Sequence, residues 1–166
     1  MRKAEAGGEE KLCCGSRLSA LMATLSTVHN MTRRHIEELV GAVVGVRVSL
    51  GTIDNRIQEA GAALEQPVEA LRKQLSCEGR LNIDETVWKK GGERHWLWTF
   101  VAPAFTYFHI AKTRSKQVLK DTLGDHFNGV IISDRHSSYR CYQGSSSWQV
   151  CLAHLIREDK GLGQSE

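Results

Sequence analysis

The spacing of apolar positions changes along the chain, and the change divides it. Leu18, Leu21, Met22, Leu25 and Val28 recur in steps of three and four. After Asn30 and Thr32 the spacing resumes with Ile36, Leu39, Val40, Val43 and Val44. Each stretch predicts an amphipathic helix. Thr32 is placed to cap the second, because its hydroxyl can accept from an unpaired first-turn N–H. Gly45 ends that helix and GVRV follows. Ser49 then suits the N-cap of a third helix, with Leu50, Ile53, Ile57, Ala60 and Leu64 on one stripe. Pro67 interrupts that helix or restarts it as a first-turn residue. Val68, Leu71 and Leu75 continue the apolar face. Residues 17–76 thus read as a helical segment, and residues 1–16 as a loose tail without a period.

From Leu81 the period becomes two. Leu81, Ile83 and Val87 alternate with Asn82, Asp84 and Thr86, which predicts a strand. The KKGGE segment at 89–93 is a hairpin turn, because paired glycines supply the positive φ that tight hairpins need. RHWLWTFVA and FTYFHIA predict two further strands around the Pro103–Ala104 turn. A helix capped by Ser115 runs to Gly124. The apolar run GVIIS, ending at Asp134, fits a strand buried on both faces. A polar loop, a strand over 148–152 and a helix from Ala153 complete the pattern. The order β-β-β-α-β-α-β-α predicts a layered α/β core over 80–160. Residues 161–166 form a second tail.

Composition narrows this picture little. The 166 residues suffice for one domain with a small helical appendage. The net charge of +3 neither demands nor excludes nucleic acid. The cysteines, at 13, 14, 77, 141 and 151, are odd in number and form no paired framework. With a polar, Gly-rich start and no apolar run near the roughly 20 residues a membrane span needs, the expectation is a reduced, cytoplasmic protein, not a membrane one.

Candidate chemistry centres on two acids. Asp84 lies within the first strand, on the face opposite Leu81 and Ile83, and Asp134 lies at the carboxyl end of the buried strand. Sites in open α/β sheets form at such strand ends. If the two strands are neighbours, the acids face each other, and two carboxylates so placed repel unless a cation sits between them. Hard oxygen ligands suit Mg²⁺ or Mn²⁺. Taken singly, an aspartate after an apolar strand is more often a turn former or helix cap.

The segments LNIDETVWKK, GVIISDRHSSY and WQVCLAHLIRE resemble successive blocks of bacterial DDE-type transposases of the insertion-sequence-66 family. The stretch from RLSALMATLSTVHNMTRRHIEELVG to SLGTIDNRIQEA is similar to the helical region before that family's catalytic core. The resemblance implies a ribonuclease-H-like fold, incomplete here at the C-terminus, with an Asp-Asp-Glu triad and a two-metal site of Mg²⁺ or Mn²⁺. Asp84 matches the first acid and Asp134 the second. The implied chemistry is phosphodiester hydrolysis at element ends and strand transfer into target DNA, by a homo-oligomer in the full-length family. The third acid is expected on a helix well beyond the fifth strand. Glu158 and Asp159 sit too close to that strand to match it. The chain therefore reads as truncated at both ends and inactive alone. Two other readings stand beside this one: a non-catalytic DNA-binding or dimerising remnant, and another ribonuclease-H-like nuclease.

Further candidates are less specific. His154 and Arg157 follow Cys151 as C-x-x-H-x-x-R, and the family carries a similar block. They either contact a phosphate or support a metal ligand, or they simply begin a solvated helix. Cys151 and His154 lack the two further ligands that a zinc site needs. Lys112 and Arg114, with Lys116, form a basic cluster able to touch a phosphate backbone, or a solvated loop. Arg47, Thr52, Asn55 and Arg56 would lie near DNA if the second and third helices form a helix-turn-helix; otherwise those helices pack on the core or dimerise.

Overall fold

The computed structural model describes residues 14–142 and 145–162; the two tails fall largely outside them. The chain forms two compact units, one ending at Glu65 and one beginning at Gln66. Periodicity alone groups residues 17–76, whereas packing divides them ahead of the fourth helix. Apolar spacing predicts which residues are helical but not which core receives them.

The first unit contains α1 (Ser16–Thr27), α2 (Arg33–Val44) and α3 (Leu50–Ala63). The Thr32 hydroxyl accepts from the His35 N–H, and the Ser49 hydroxyl from the Thr52 N–H. Gly45 closes α2 in the left-handed conformation, at φ 73°. Met22, Ile36, Val40, Val48 and Ile53 form the buried core. Only part of each predicted stripe enters it: Val28 and Val43 remain 68% and 75% exposed, so they contribute little to holding the helices together. Of the residues expected near DNA in a helix-turn-helix, Arg47 and Asn55 are exposed, and Thr52 shares a hydrogen bond with Ser49. Arg56 pairs with Glu59 one turn along α3.

The second unit takes in α4 (Glu65–Leu75) from Gln66 onward, and the first turn of that helix holds Pro67. Its sheet comprises β1 (Arg80–Lys90), β2 (Glu93–Val101), β3 (Thr106–Ala111), β4 (Phe127–Ser133) and β5 (Ser145–Val150). Helix α5 (Lys116–Leu123) joins β3 to β4, α6 (Ser137–Arg140) lies between β4 and β5, and α7 (Leu152–Leu162) follows β5. The strand order is β3-β2-β1-β4-β5; β2 runs antiparallel to β1 and β3, while β4 runs parallel to β1 and β5. The result is a mixed five-stranded α/β sheet, as expected of a ribonuclease-H-like core. Gly91 and Gly92, at φ 59° and 86°, make the two-residue turn between β1 and β2.

The core lies on one face of the sheet. Leu81, Ile83, Trp98, Phe100, Tyr107 and Ile131 meet Leu75 of α4 and Val118, Leu119 and Leu123 of α5. Arg72 of α4 donates to the carbonyls of Asp121 and Thr122, satisfying acceptors that the end of α5 leaves open. Gly129 lets β4 approach the Glu78–Gly79 turn, because a Cβ there would stand 2.6 Å from the Glu78 carbonyl oxygen and 2.5 Å from the Phe127 ring. The opposite face carries Asn82, Asp84 and Thr86, all exposed, alongside exposed Val101, Phe108 and Ile110.

Candidate active site

The pairing of β1 with β4 positions the two acids. Arg80 stands opposite Val130, Leu81 opposite Ile131 and Asn82 opposite Ile132. The pairing ends there, two residues before Asp84 on β1 and two before Asp134, which lies just past the end of β4. Asp84 is exposed on β1, and its Oδ1 accepts from the Glu85 N–H. Asp134 follows β4 directly. Its Oδ1 accepts from the His136 N–H at 2.9 Å, the turn-forming contact expected of an aspartate there. Its Oδ2 accepts from Arg114 Nη2 at 2.8 Å.

Behind these acids lies a polar cluster that the periodicity does not announce. Glu85 shares the core face with Leu81 and Ile83, and its side chain is fully buried. One of its oxygens accepts from Arg114 Nε and the other from the Tyr139 hydroxyl. Arg114 therefore bridges Glu85 and Asp134, with its guanidinium 5.2 Å from the centre of the Trp96 ring. The Arg114 carbonyl accepts from Ser138 Oγ at 2.6 Å. Ser133 Oγ, also buried, donates to the Asp134 carbonyl and accepts from Trp148 Nε1. The available signal was the parity of Glu85: an acid on a strand's core face requires a buried partner.

Electrostatics follow burial. Burial pushes the Glu85 carboxyl above the usual carboxylate range, against the pull of Tyr139 and Arg114. Burial also opposes the charge on Arg114, but Glu85 and Asp134 outweigh it and hold the guanidinium firmly protonated. The two shifts differ in origin because Glu85 is the more deeply enclosed partner, whereas Arg114 faces two carboxylates. The Tyr139 hydroxyl is raised far above the usual phenol range, by burial first and then by Glu85, Asp134 and Asp84. One phenol thus feels both candidate acids.

On the open face, Asn82, Asp84, Thr99, Ile132, Cys151 and His154 line a cavity of 150 Å³. His154 lowers the Cys151 thiol below its usual pKa, through its side chain and its N–H, with a further contribution from the Ala153 N–H. The imidazole Nδ1 is buried without a hydrogen-bond partner, so that nitrogen makes no full hydrogen bond to the thiol. His154 thus shares a cavity with Asp84, while Arg157 and Lys112 are exposed. Arg114 is engaged with two carboxylates, and Arg56 belongs to the first unit.

Among the described residues, no group of three or more histidine, cysteine or acidic side chains is arranged to hold a metal. The two aspartates nonetheless suit part of a hard-cation shell. An ionised carboxylate offers about four lone-pair sites. The hydrogen bonds above use one on Asp84 and two on Asp134. Mg²⁺ is commonly bound by one or two carboxylates, with water and phosphate oxygens completing the sphere.

The family model for the Transposase IS66 family matches residues 11–166. The chain belongs to the IS66 transposase family. The match spans both units of this transposase-family chain and includes Asp84 and Asp134. A comparison with curated proteins found no match. Among the described residues of this family member, no helix is long and apolar enough to cross a membrane.

Proposed function

We propose that this IS66-family chain contributes Asp84 and Asp134 to a metal-dependent site for DNA phosphodiester cleavage and strand transfer. The observation that supports this reading is the parallel β1–β4 pairing, whose last pair, Asn82 with Ile132, lies two residues before each acid. Asp84 offers an exposed carboxylate, and Asp134 one whose orientation is fixed from both sides. Asp84 and Asp134 would hold divalent cations, which when bound would supply Lewis-acid activation of the nucleophile and stabilisation of the leaving oxygen. His154 lines the same cavity as Asp84 and would meet a phosphate entering it, while exposed Lys112 and Arg157 would contact the DNA backbone. The partners in this reading are element-end and target DNA.

The test is thermal melting of the chain with increasing Mn²⁺, beside Asp84→Ala and Asp134→Ala. A rise in melting temperature with metal, absent in both variants, is the expected result. A rise that survives both substitutions would sink this reading.

A further inference from the structure

We propose that Arg114 is a positioning residue: anchored by buried Glu85 and by Trp96, it sets the orientation of Asp134 for a divalent cation. This rests on the reading that Asp84 and Asp134 hold that cation. Arg114 reaches Asp134 already fixed. Its Nε is held by Glu85, its guanidinium lies over Trp96, and its carbonyl is held by Ser138. A planar guanidinium anchored at Nε presents Nη2 in a defined direction, which a flexible ammonium cannot do. With Arg114 on Oδ2 and the His136 N–H on Oδ1, the Asp134 carboxylate plane is set before any cation arrives.

Charge explains why an arginine can serve here. A lone guanidinium beside Asp134 would repel a dication. Glu85, paired to the same guanidinium, cancels its charge, so the pair orients Asp134 while Asp84 and Asp134 keep their two negative charges for the cation. Partners that orient a ligand from behind typically change metal affinity by roughly 10- to 100-fold.

The pair also gives a clean experiment. Removing one member leaves a buried charge alone, which is strongly destabilising, whereas replacing both with apolar or neutral groups is often tolerated. The Glu85→Gln/Arg114→Met double variant of the full chain keeps the local charge balance and loses the contact to Asp134. Mn²⁺ affinity is measured by electron paramagnetic resonance of the free ion, alongside metal-free melting, for this variant, the wild type, Asp84→Ala and Asp134→Ala. We expect the double variant to melt close to the wild type and to bind Mn²⁺ roughly 10- to 100-fold more weakly. Unchanged or tighter binding in the folded double variant, with binding lost in Asp134→Ala, overturns the positioning role and leaves the metal site standing. Wild-type binding indifferent to both aspartate substitutions overturns the site and this inference together. Should the double variant fail to fold, Arg114→Lys alone decides: it keeps the positive charge but loses the planar fork that spans Glu85 and Asp134, and wild-type affinity there overturns the proposal.

Discussion

The Tyr139 hydroxyl donates to Glu85, so the residue next to Asp84 in sequence is tied to the core while Asp84 itself faces outward. The strand's alternation separates two adjacent acids into two environments. One is a buried acid tied to Arg114 and Tyr139; the other is an exposed carboxylate lining a cavity.

Tyr139→Phe removes that donor and keeps the ring. Glu85 Oε2 then loses a hydrogen bond where water does not readily replace it, and the variant should lose about 1–3 kcal/mol in urea unfolding at neutral pH. A change within error would mean that the hydroxyl contributes nothing to the pairing.

Glu85 also predicts a pH dependence. Its folded pKa lies above the unfolded value, chiefly through burial. The folded state therefore binds this proton more tightly than the unfolded state does. The resulting stabilisation is full below the unfolded carboxyl pKa and is lost as pH rises through the raised folded value. Relative to Glu85→Gln, the wild type should lose stability as pH climbs from about 4.5, the ordinary glutamate value. Denaturant midpoints of the two proteins across this range provide the check, and parallel curves would contradict it.

Two glycines should respond oppositely to alanine. At Gly129 the added methyl meets the Glu78 and Gly79 carbonyl oxygens and the Phe127 ring, and β4 cannot shift without disturbing its pairing with β1. A loss of about 1–3 kcal/mol is expected. Gly41, inside α2, has nothing within 4 Å of a built Cβ. Alanine there should gain about 0.5–1 kcal/mol from helix propensity. Chemical denaturation of both variants tests the pair.

Cys151 should behave as a thiol of lowered pKa. Its alkylation by iodoacetamide, followed peptide by peptide by mass spectrometry, should show a midpoint below that of free cysteine. His154→Ala should move the midpoint upward, because the leading cause of the shift is that side chain. A midpoint that does not respond to the substitution would assign the effect to the N–H groups alone.

The sequence by itself determined the period of each segment, and therefore most elements. Alternation around Leu81 and Ile83 marks β1 because strand side chains point to opposite faces in turn. Thr32, Ser49 and Gly45 mark helix ends because their local chemistry requires only nearby backbone. The Gly91–Gly92 turn is equally local. Asp84 and Asp134 were visible as candidates because each is a polar residue within or at the end of an apolar strand pattern. Tertiary structure decided what joined them. The β1–β4 register, the division at Glu65, and the Glu85–Arg114–Asp134 bridge all link residues far apart in sequence. No period encodes such pairings. Arg114 reads from sequence as one member of a basic cluster, and becomes a carboxylate bridge only because folding carries it to a buried acid 29 positions away.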